Sequence, residues 1–269
     1  RHTRFKCDWS SDVCSSDLHP QHFFTMVGPA CAGLNGDVQM SDQIQTVSYR
    51  DVGVGAVDRN RVLRNTYMLL ALSLVPTVLG AWLGVSTGLH VAFSGILGMV
   101  LFLAVAFGFM YAIERTKDSA AGVGVLLAFT FFMGLMMSGL ISAVLGFRNG
   151  PQLIITAFGG TAGVFFVMAS LATVIKRDLS GMAQWLFIGV IGLMVASIIN
   201  AFVGSTVGMM VISTLAIIIF SAFMLFDIRR VVDGGETNYI SATLAIYLDI
   251  LNVFQSLLAL LGIFGGERD

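Results

Sequence analysis

Long charge-free runs separated by short polar segments dominate the chain after about residue 60. No Asp, Glu, Lys or Arg occurs between Arg64 and Glu114, or between Asp178 and Asp227. Each of these runs is too long for one membrane-spanning helix of about 20 residues, so each is divided in two. The pattern predicts seven transmembrane helices, near residues 67–89, 91–113, 121–147, 152–175, 182–203, 207–227 and 239–264.

The composition supports a bilayer as the solvent of this chain. Hydrophobic residues make up 56% of the 269 residues and charged residues 12%, whereas a soluble domain carries about 25% charged residues. The net charge of −1 gives no basic field that would suggest nucleic acid as a partner. We therefore predict an all-α integral membrane protein, a seven-transmembrane-helix bundle with the lipid bilayer as its first partner.

The basic residues between the predicted spans predict the orientation of the bundle. Nine lie on one side: Arg59, Arg61, Arg64, Arg115, Lys117, Lys176, Arg177, Arg229 and Arg230. Two lie on the other side, Arg148 and Arg268. The positive-inside rule then places the N-terminus in the cytoplasm and, with seven spans, the C-terminus outside.

The first part of the chain differs from the apolar part. We predict a disordered segment over residues 1–58, because it cannot bury enough apolar area to offset chain entropy, and a seven-helix domain over 59–269. The stretch Cys7–Leu18 resembles translated sequencing-adapter read-through, so residues 1–25 are interpreted as non-native. Met40, or alternatively Met26, is then the expected natural start.

Cysteine usage limits the chemistry of the predicted bundle. Cys7, Cys14 and Cys31 all precede it, which excludes disulfides, thiolate metal sites and a cysteine nucleophile within it. A metal cluster of Cys7, Cys14, His19 and His22 has a spacing that fits no standard zinc pattern. The bundle also lacks the Ser and His pair of an intramembrane protease, since its single histidine, His90, falls in a predicted turn. We expect no enzyme activity, no catalytic residue and no cofactor.

Glycines at four-residue spacing predict close helix packing. Gly80, Gly84 and Gly88 repeat along the first span, and Gly159 and Gly163 along the fourth. Small residues at this spacing let two helix backbones approach closely.

One carboxylate stands alone in the last apolar run. Asp249 is the only charge between Glu236 and Glu267, and an intramembrane acid is expensive to bury, so it marks a candidate functional site. Its expected partner is Asp227, at the end of the sixth span. Two carboxylates in a low-dielectric site cannot both ionise easily, so the pair should bind and release a proton as a unit. Their hard oxygen ligands would favour Ca²⁺ when no proton is shared.

Further polar residues accompany Asp249 on the last span. Asn252 and Ser256 share a helix face with it at steps of three or four residues, and this face is expected to point into the bundle. Two structural alternatives stay open. Asp227 could form a helix-end ion pair with Arg230, and Asp249 could be a neutral, hydrogen-bonded acid near Tyr247 or Asn252.

Three stretches resemble the Bax inhibitor-1 family (transmembrane Bax inhibitor motif), and within it the bacterial YccA-like branch. They are Val62–Leu74, Val174–Ser180 and Gly234–Gly262, and the resemblance covers roughly residues 60–266. It implies six helices around a central last helix in the bacterial inner membrane.

The resemblance also implies two activities. The first is a pH-sensitive Ca²⁺ leak gated by proton-sensing aspartates, which match Asp227 and Asp249, with Ca²⁺ and H⁺ as partners and Arg115 as the candidate gate partner. The second is binding to the membrane protease FtsH and modulation of its activity, without transport.

Overall fold

The computed structural model describes residues 6–7, 14–15, 49–88, 95–175 and 180–266. The chain divides into two compact units, residues 1–46 and 47–269. In the first unit, strands β1 (Lys6–Cys7) and β2 (Cys14–Ser15) pair antiparallel, with Lys6 opposite Ser15. His19 and His22 of the alternative metal cluster, and the expected start sites Met26 and Met40, lie outside the described residues.

Helices are the only regular secondary structure in the described residues of the second unit. Its seven helices are α1 (Tyr49–Thr87), α2 (Gly95–Thr116), α3 (Ala120–Leu145), α4 (Gly150–Val174), α5 (Ser180–Val203), α6 (Thr206–Val232) and α7 (Tyr239–Gly265). Within the described residues, six of these helices, α1 and α3 to α7, are found to be long and apolar enough to cross a membrane. The all-helical membrane class is therefore confirmed at the level of six candidate spans.

Two helix ends differ from the predicted boundaries. Helix α1 begins at Tyr49, inside the segment predicted to be disordered up to residue 58, because extending an existing helix adds one hydrogen bond for each residue that it orders. Helix α6 continues past Asp227 to Val232. Arg229 and Arg230 in its last turn favour this extension, since cations stabilise the negative end of the helix dipole.

Side-chain caps set the beginnings of α6 and α7. The Ser205 hydroxyl accepts a hydrogen bond from the Gly208 N–H at 3.1 Å. The Asn238 side-chain oxygen accepts from the N–H groups of Ile240 and Ser241 at 2.9 and 3.3 Å. Both caps satisfy amide donors that a helix start otherwise leaves without partners.

Glycines bring the backbones of α1 and α3 together, as their spacing predicts. A Cβ atom at Gly80 would lie 2.1 Å from the Phe131 carbonyl oxygen, and one at Gly84 would lie 2.4 Å from the Ser138 hydroxyl. The third glycine of this series, Gly88, has a φ of 67° just after the end of α1 and no such contact.

The same prediction is wrong for the fourth span. A Cβ atom at Gly159 or Gly163 would meet nothing within 4 Å among the described atoms. Both residues are exposed, because α4 packs against α6, α7 and α3 through other faces.

Helix α7 holds the central position that the family resemblance implies. Within the described part of the chain it packs against α1, α2, α3, α4 and α6, whereas α5 packs against α6 alone. Its side chains form much of the apolar core together with α3 and α6. The fully buried core residues include Leu126, Phe129, Met224, Ile228, Ile246 and Tyr247.

Candidate functional site

Asp249 is buried near the middle of the central helix. Its residue surface is only 4% exposed. The Oδ2 atom has no hydrogen-bond partner among the described residues. A buried polar atom without a partner carries a desolvation penalty, so this carboxyl group is a site where a proton or a cation would be stabilising.

Asp227 supplies the second carboxyl group from the neighbouring helix. It lies in α6, is half-buried, and faces Asp249 within hydrogen-bonding reach. A hydrogen bond between two carboxyl groups requires one of them to carry a proton. The structure thus brings together the two acids that the sequence analysis paired, and this contact follows from the packing of α6 against α7.

Two nearby charges complete the surroundings of Asp227. Arg230 lies three residues along α6, and Glu236 lies in the connection between α6 and α7. Arg230 forms its ion pair with Glu236, at 3.1 Å between Nη2 and Oε2, and Arg229 forms one with Asp233 at 2.7 Å. The alternative of a simple Asp227–Arg230 ion pair is therefore not what these contacts show, although the Arg230 charge does act on Asp227.

On the polar face of α7, the Asn252 side chain hydrogen-bonds to the helix backbone and not to Asp249. The Asn252 side-chain amide donates to the Leu248 carbonyl oxygen of the preceding turn at 2.7 Å. Ser256, one turn further, is half-buried. No hydrogen bond from Asn252 or Tyr247 to Asp249 is found within the described region, and the alternative of a neutral structural acid stays open.

A second polar face of α7 escaped the sequence analysis. The Tyr247 hydroxyl, on a residue that is 1% exposed, lies 2.9 Å from the Thr77 hydroxyl of α1. Four residues earlier, the Thr243 hydroxyl lies 3.3 Å from the Thr66 carbonyl oxygen. Spacing of four residues between two hydroxyl groups was the available signal. These contacts fasten α7 to α1 on the side away from Asp249.

Arg115, the candidate gate partner, lies apart from the acids. It is exposed near the end of α2, where its Nε donates to the Tyr111 hydroxyl at 3.1 Å. Its guanidinium also lies 5.6 Å from the centre of the Tyr111 ring, within cation–π range. The structure does not bring Arg115 to Asp227 or Asp249, so its gating role stays a prediction.

The carboxyl pair offers few ligands to a metal ion. No group of three or more His, Cys, Asp or Glu side chains that could hold a metal is found in the residues that the structure describes. Ca²⁺ takes six to eight oxygen ligands, so two carboxylates would leave most of its coordination to water or backbone. The two carboxylates alone therefore do not complete a Ca²⁺ coordination shell.

Known proteins match the part of the chain that contains the site residues described above. The model of the family described as "Inhibitor of apoptosis-promoting Bax1" matches residues 59–266, from Arg59 within α1 to just past the end of α7. The chain belongs to the Bax inhibitor-1 family. The match includes both Asp227 and Asp249 and leaves the first part of the chain outside.

Bacterial members of the Bax inhibitor-1 family match most of the chain. A membrane protein of Vibrio cholerae serotype O1 is 39% identical over 211 residues, which cover 78% of this chain and 93% of that protein. The "Modulator of FtsH protease YccA" of Escherichia coli K12 is 32% identical over 203 residues, covering 76% and 90%. The counterpart in Escherichia coli O6:H1 has the same identity and coverage and is named "Inner membrane protein YccA". With its six apolar spans, this chain is a multi-pass inner membrane protein.

Proposed function

We propose that the chain is a pH-sensitive Ca²⁺ leak whose gate is the Asp227–Asp249 pair. The observation that carries the proposal is the buried Asp249 carboxyl group, which faces Asp227 and has one oxygen without a partner in the described structure. A shared proton joins the two carboxyl groups and holds α6 against α7. Loss of that proton leaves two like charges, which separate or attract a cation.

The proposal includes a topology in which all seven helices span the membrane. Helix α2 has no charged residue from Gly95 to Ile113, which supports it as the additional span. The distribution of basic residues supports a cytoplasmic N-terminus and an external C-terminus. In this orientation the α6–α7 connection lies in the cytoplasm and the carboxyl pair lies nearer to the cytoplasmic side.

The leak also requires no bound cofactor and no catalytic residue. Ca²⁺ is the transported ion, and H⁺ is the regulator that the carboxyl pair binds and releases. The small number of carboxylate ligands supports this, because conduction requires binding that is weak enough for release.

Flux measurements on reconstituted protein test the leak. Wild-type protein in liposomes should pass Ca²⁺ faster as pH rises, and Asp249→Asn should weaken this pH response, because an amide cannot release a proton. Asp58→Asn is the matched control, since it makes the same aspartate-to-asparagine change in α1, away from the pair and from the α6–α7 connection. Equal pH responses in wild type and Asp249→Asn would refute the gate, and absence of flux at every pH would refute the leak.

Modulation of a membrane protease is the second candidate function. Its support is the similarity to the Escherichia coli K12 protein named as a modulator of FtsH protease, which extends over 76% of this chain. This function predicts that the protein co-purifies with FtsH from native membranes. Failure to do so, together with unchanged turnover of FtsH substrates in a deletion strain, would count against it.

A further inference from the structure

Two polar connections meet at the end of the bundle nearest to the carboxyl pair. One is the turn between α2 and α3, residues 117–119, and the other is the connection between α6 and α7, residues 233–238. At about 1.5 Å per helical residue, Asp249 lies about 15 Å from the start of α7 and about 24 Å from its end. Contacts that close this end of the bundle therefore lie on the shorter of the two routes from the ends of α7 to the carboxyl pair.

Asn238 joins these two connections through its side-chain amide. The Nδ2 group donates to the Lys117 carbonyl oxygen at 3.0 Å and to the Asp118 carboxylate at 2.9 Å. Its oxygen accepts from two N–H groups at the start of α7. One side chain thus caps the helix that carries Asp249 and ties that helix to the α2–α3 turn.

A second set of contacts continues from Asn238 towards Asp227. The Asn238 backbone N–H donates to Glu236 Oε1 at 3.2 Å, and Glu236 Oε2 pairs with Arg230 at 3.1 Å. Arg230 lies one helical turn after Asp227 on α6. The polar contacts therefore run without a break from the α2–α3 turn, through Asn238, to the part of α6 next to the pair.

We propose that Asn238 is a positioning residue that latches the α6–α7 connection to the α2–α3 turn and thereby holds this end of the Asp227–Asp249 site closed. The inference rests on the proposed leak and adds its regulation. In the described structure α2 packs against α3 and only marginally against α7, so its attachment to the central helix depends on α3 and on the turn between α2 and α3. The Asn238 amide thus adds a polar attachment at this end to the apolar packing of α3 on α7, in which the Ile240 side chain lies close to Gly122.

The charged groups around the latch are Glu114, Lys117, Asp118, Arg230 and Glu236. The hydrogen bond from Lys117 to Glu114 raises the pKa of the Lys117 ammonium above its ordinary value. A raised lysine pKa keeps the ammonium charged at all lower pH values, and the charge is lost only as pH rises through that pKa. Lys117 therefore does not titrate in a flux series between acidic and neutral pH.

The variant Asn238→Asp separates the latch from the cap. Aspartate keeps an oxygen that accepts from the α7 amides and is as good an N-cap as asparagine. It has no N–H to donate, and its charge faces the Asp118 carboxylate. The double variant with Asp118→Asn exchanges the two groups, so that an amide at 118 can donate to a carboxylate at 238, while the bond to the Lys117 carbonyl oxygen stays lost.

Ca²⁺ flux into liposomes and backbone hydrogen exchange of the full-length protein are measured for the wild type and both variants. We expect Asn238→Asp to raise flux about tenfold at acidic pH, where the wild type is closed, which is the effect of losing about 1.4 kcal/mol of latch contacts. Hydrogen exchange of the backbone amides should become severalfold faster at residues 117–122, while the first amides of α7 should exchange as slowly as in the wild type. The double variant should restore both properties towards wild type.

Unchanged flux in Asn238→Asp, in a wild type that does pass Ca²⁺, would overturn the latch as a regulator while leaving the leak intact. Faster flux without recovery in the double variant would show a general loss of structure and would also overturn it. If the wild type passes no Ca²⁺ at any pH, the leak itself fails. Unchanged exchange at residues 117–122 would then overturn the attachment through Asn238 as well.

Discussion

The close contact between α1 and α3 makes Gly80→Ala a strong test of the fold. The added Cβ atom would lie 2.1 Å from the Phe131 carbonyl oxygen and 3.0 Å from the Leu135 nitrogen. Ordinary van der Waals contact of a Cβ atom begins at 3.4 Å, so α1 and α3 would have to separate by roughly 1 Å. Both neighbouring atoms belong to the backbone, so no flexible side chain can move aside.

Two opposing effects set the magnitude for Gly80→Ala. Overpacking in a well-packed core destabilises by about 1–3 kcal/mol. The higher helix propensity of alanine offsets about 0.5–1 kcal/mol of this. We therefore expect a net loss of about 1–2 kcal/mol in the free energy of unfolding.

Gly159→Ala provides the matched control for this substitution. It introduces the same atom into another candidate membrane span, at an exposed position where the Cβ atom meets nothing within 4 Å. It should leave stability unchanged or raise it by up to about 1 kcal/mol. Thermal unfolding of both variants in the same detergent measures the difference, and equal melting temperatures would refute the close approach of α1 and α3.

Two smaller perturbations test individual hydrogen bonds. Tyr247→Phe removes the contact to Thr77, and because the Thr77 hydroxyl still donates to the Ser73 carbonyl oxygen at 2.8 Å, we expect a loss of only about 1 kcal/mol in thermal unfolding. A loss equal to that of a large core deletion would contradict this account. Ser205→Ala removes the α6 cap and should destabilise by about 1 kcal/mol. The control Ser119→Ala should have a smaller effect, because Ser119 makes no side-chain cap bond at the start of α3, and the reverse order would be evidence against the cap.

The charge-free runs in the sequence predicted the positions of the helices better than the residues at which the helices end. Between Asp178 and Asp227 the sequence has no charge, and α5 and α6 occupy this run as expected. Asp227 marked the predicted end of the sixth span, yet α6 continues to Val232. A polar residue ends an apolar run without ending the helix, since backbone hydrogen bonding continues as long as each added residue gains a bond.

The face of a helix that packs against a neighbour could be predicted only where the neighbouring helix could also be identified from the sequence. The Asp227–Asp249 pairing followed from connectivity, because consecutive antiparallel helices joined by a short connection pack together. Glycine spacing alone did not distinguish Gly80, which meets α3, from Gly159, which faces outward. The four-residue pattern is the same in both helices, and only the arrangement of the bundle decides which face meets a neighbour.

The contacts of Asn238 and Arg115 also depended on tertiary structure. An Asn before an apolar run is a helix-cap signal, but nothing in the sequence indicates that the same amide reaches the α2–α3 turn. Arg115 follows the second predicted span, and its role as a gate partner was implied by the family resemblance alone. It contacts Tyr111 instead, because the two residues lie four apart on the same exposed face of α2.

The most direct test of the central claim compares Asp227→Asn, Asp249→Asn and the double variant in a Ca²⁺ flux series across pH. If the two carboxyl groups share one proton and act as a single gate, each single variant removes most of the pH response and the double variant removes little more. Additive effects of the two substitutions, or an unchanged pH response in either single variant, would contradict a gate formed by the pair.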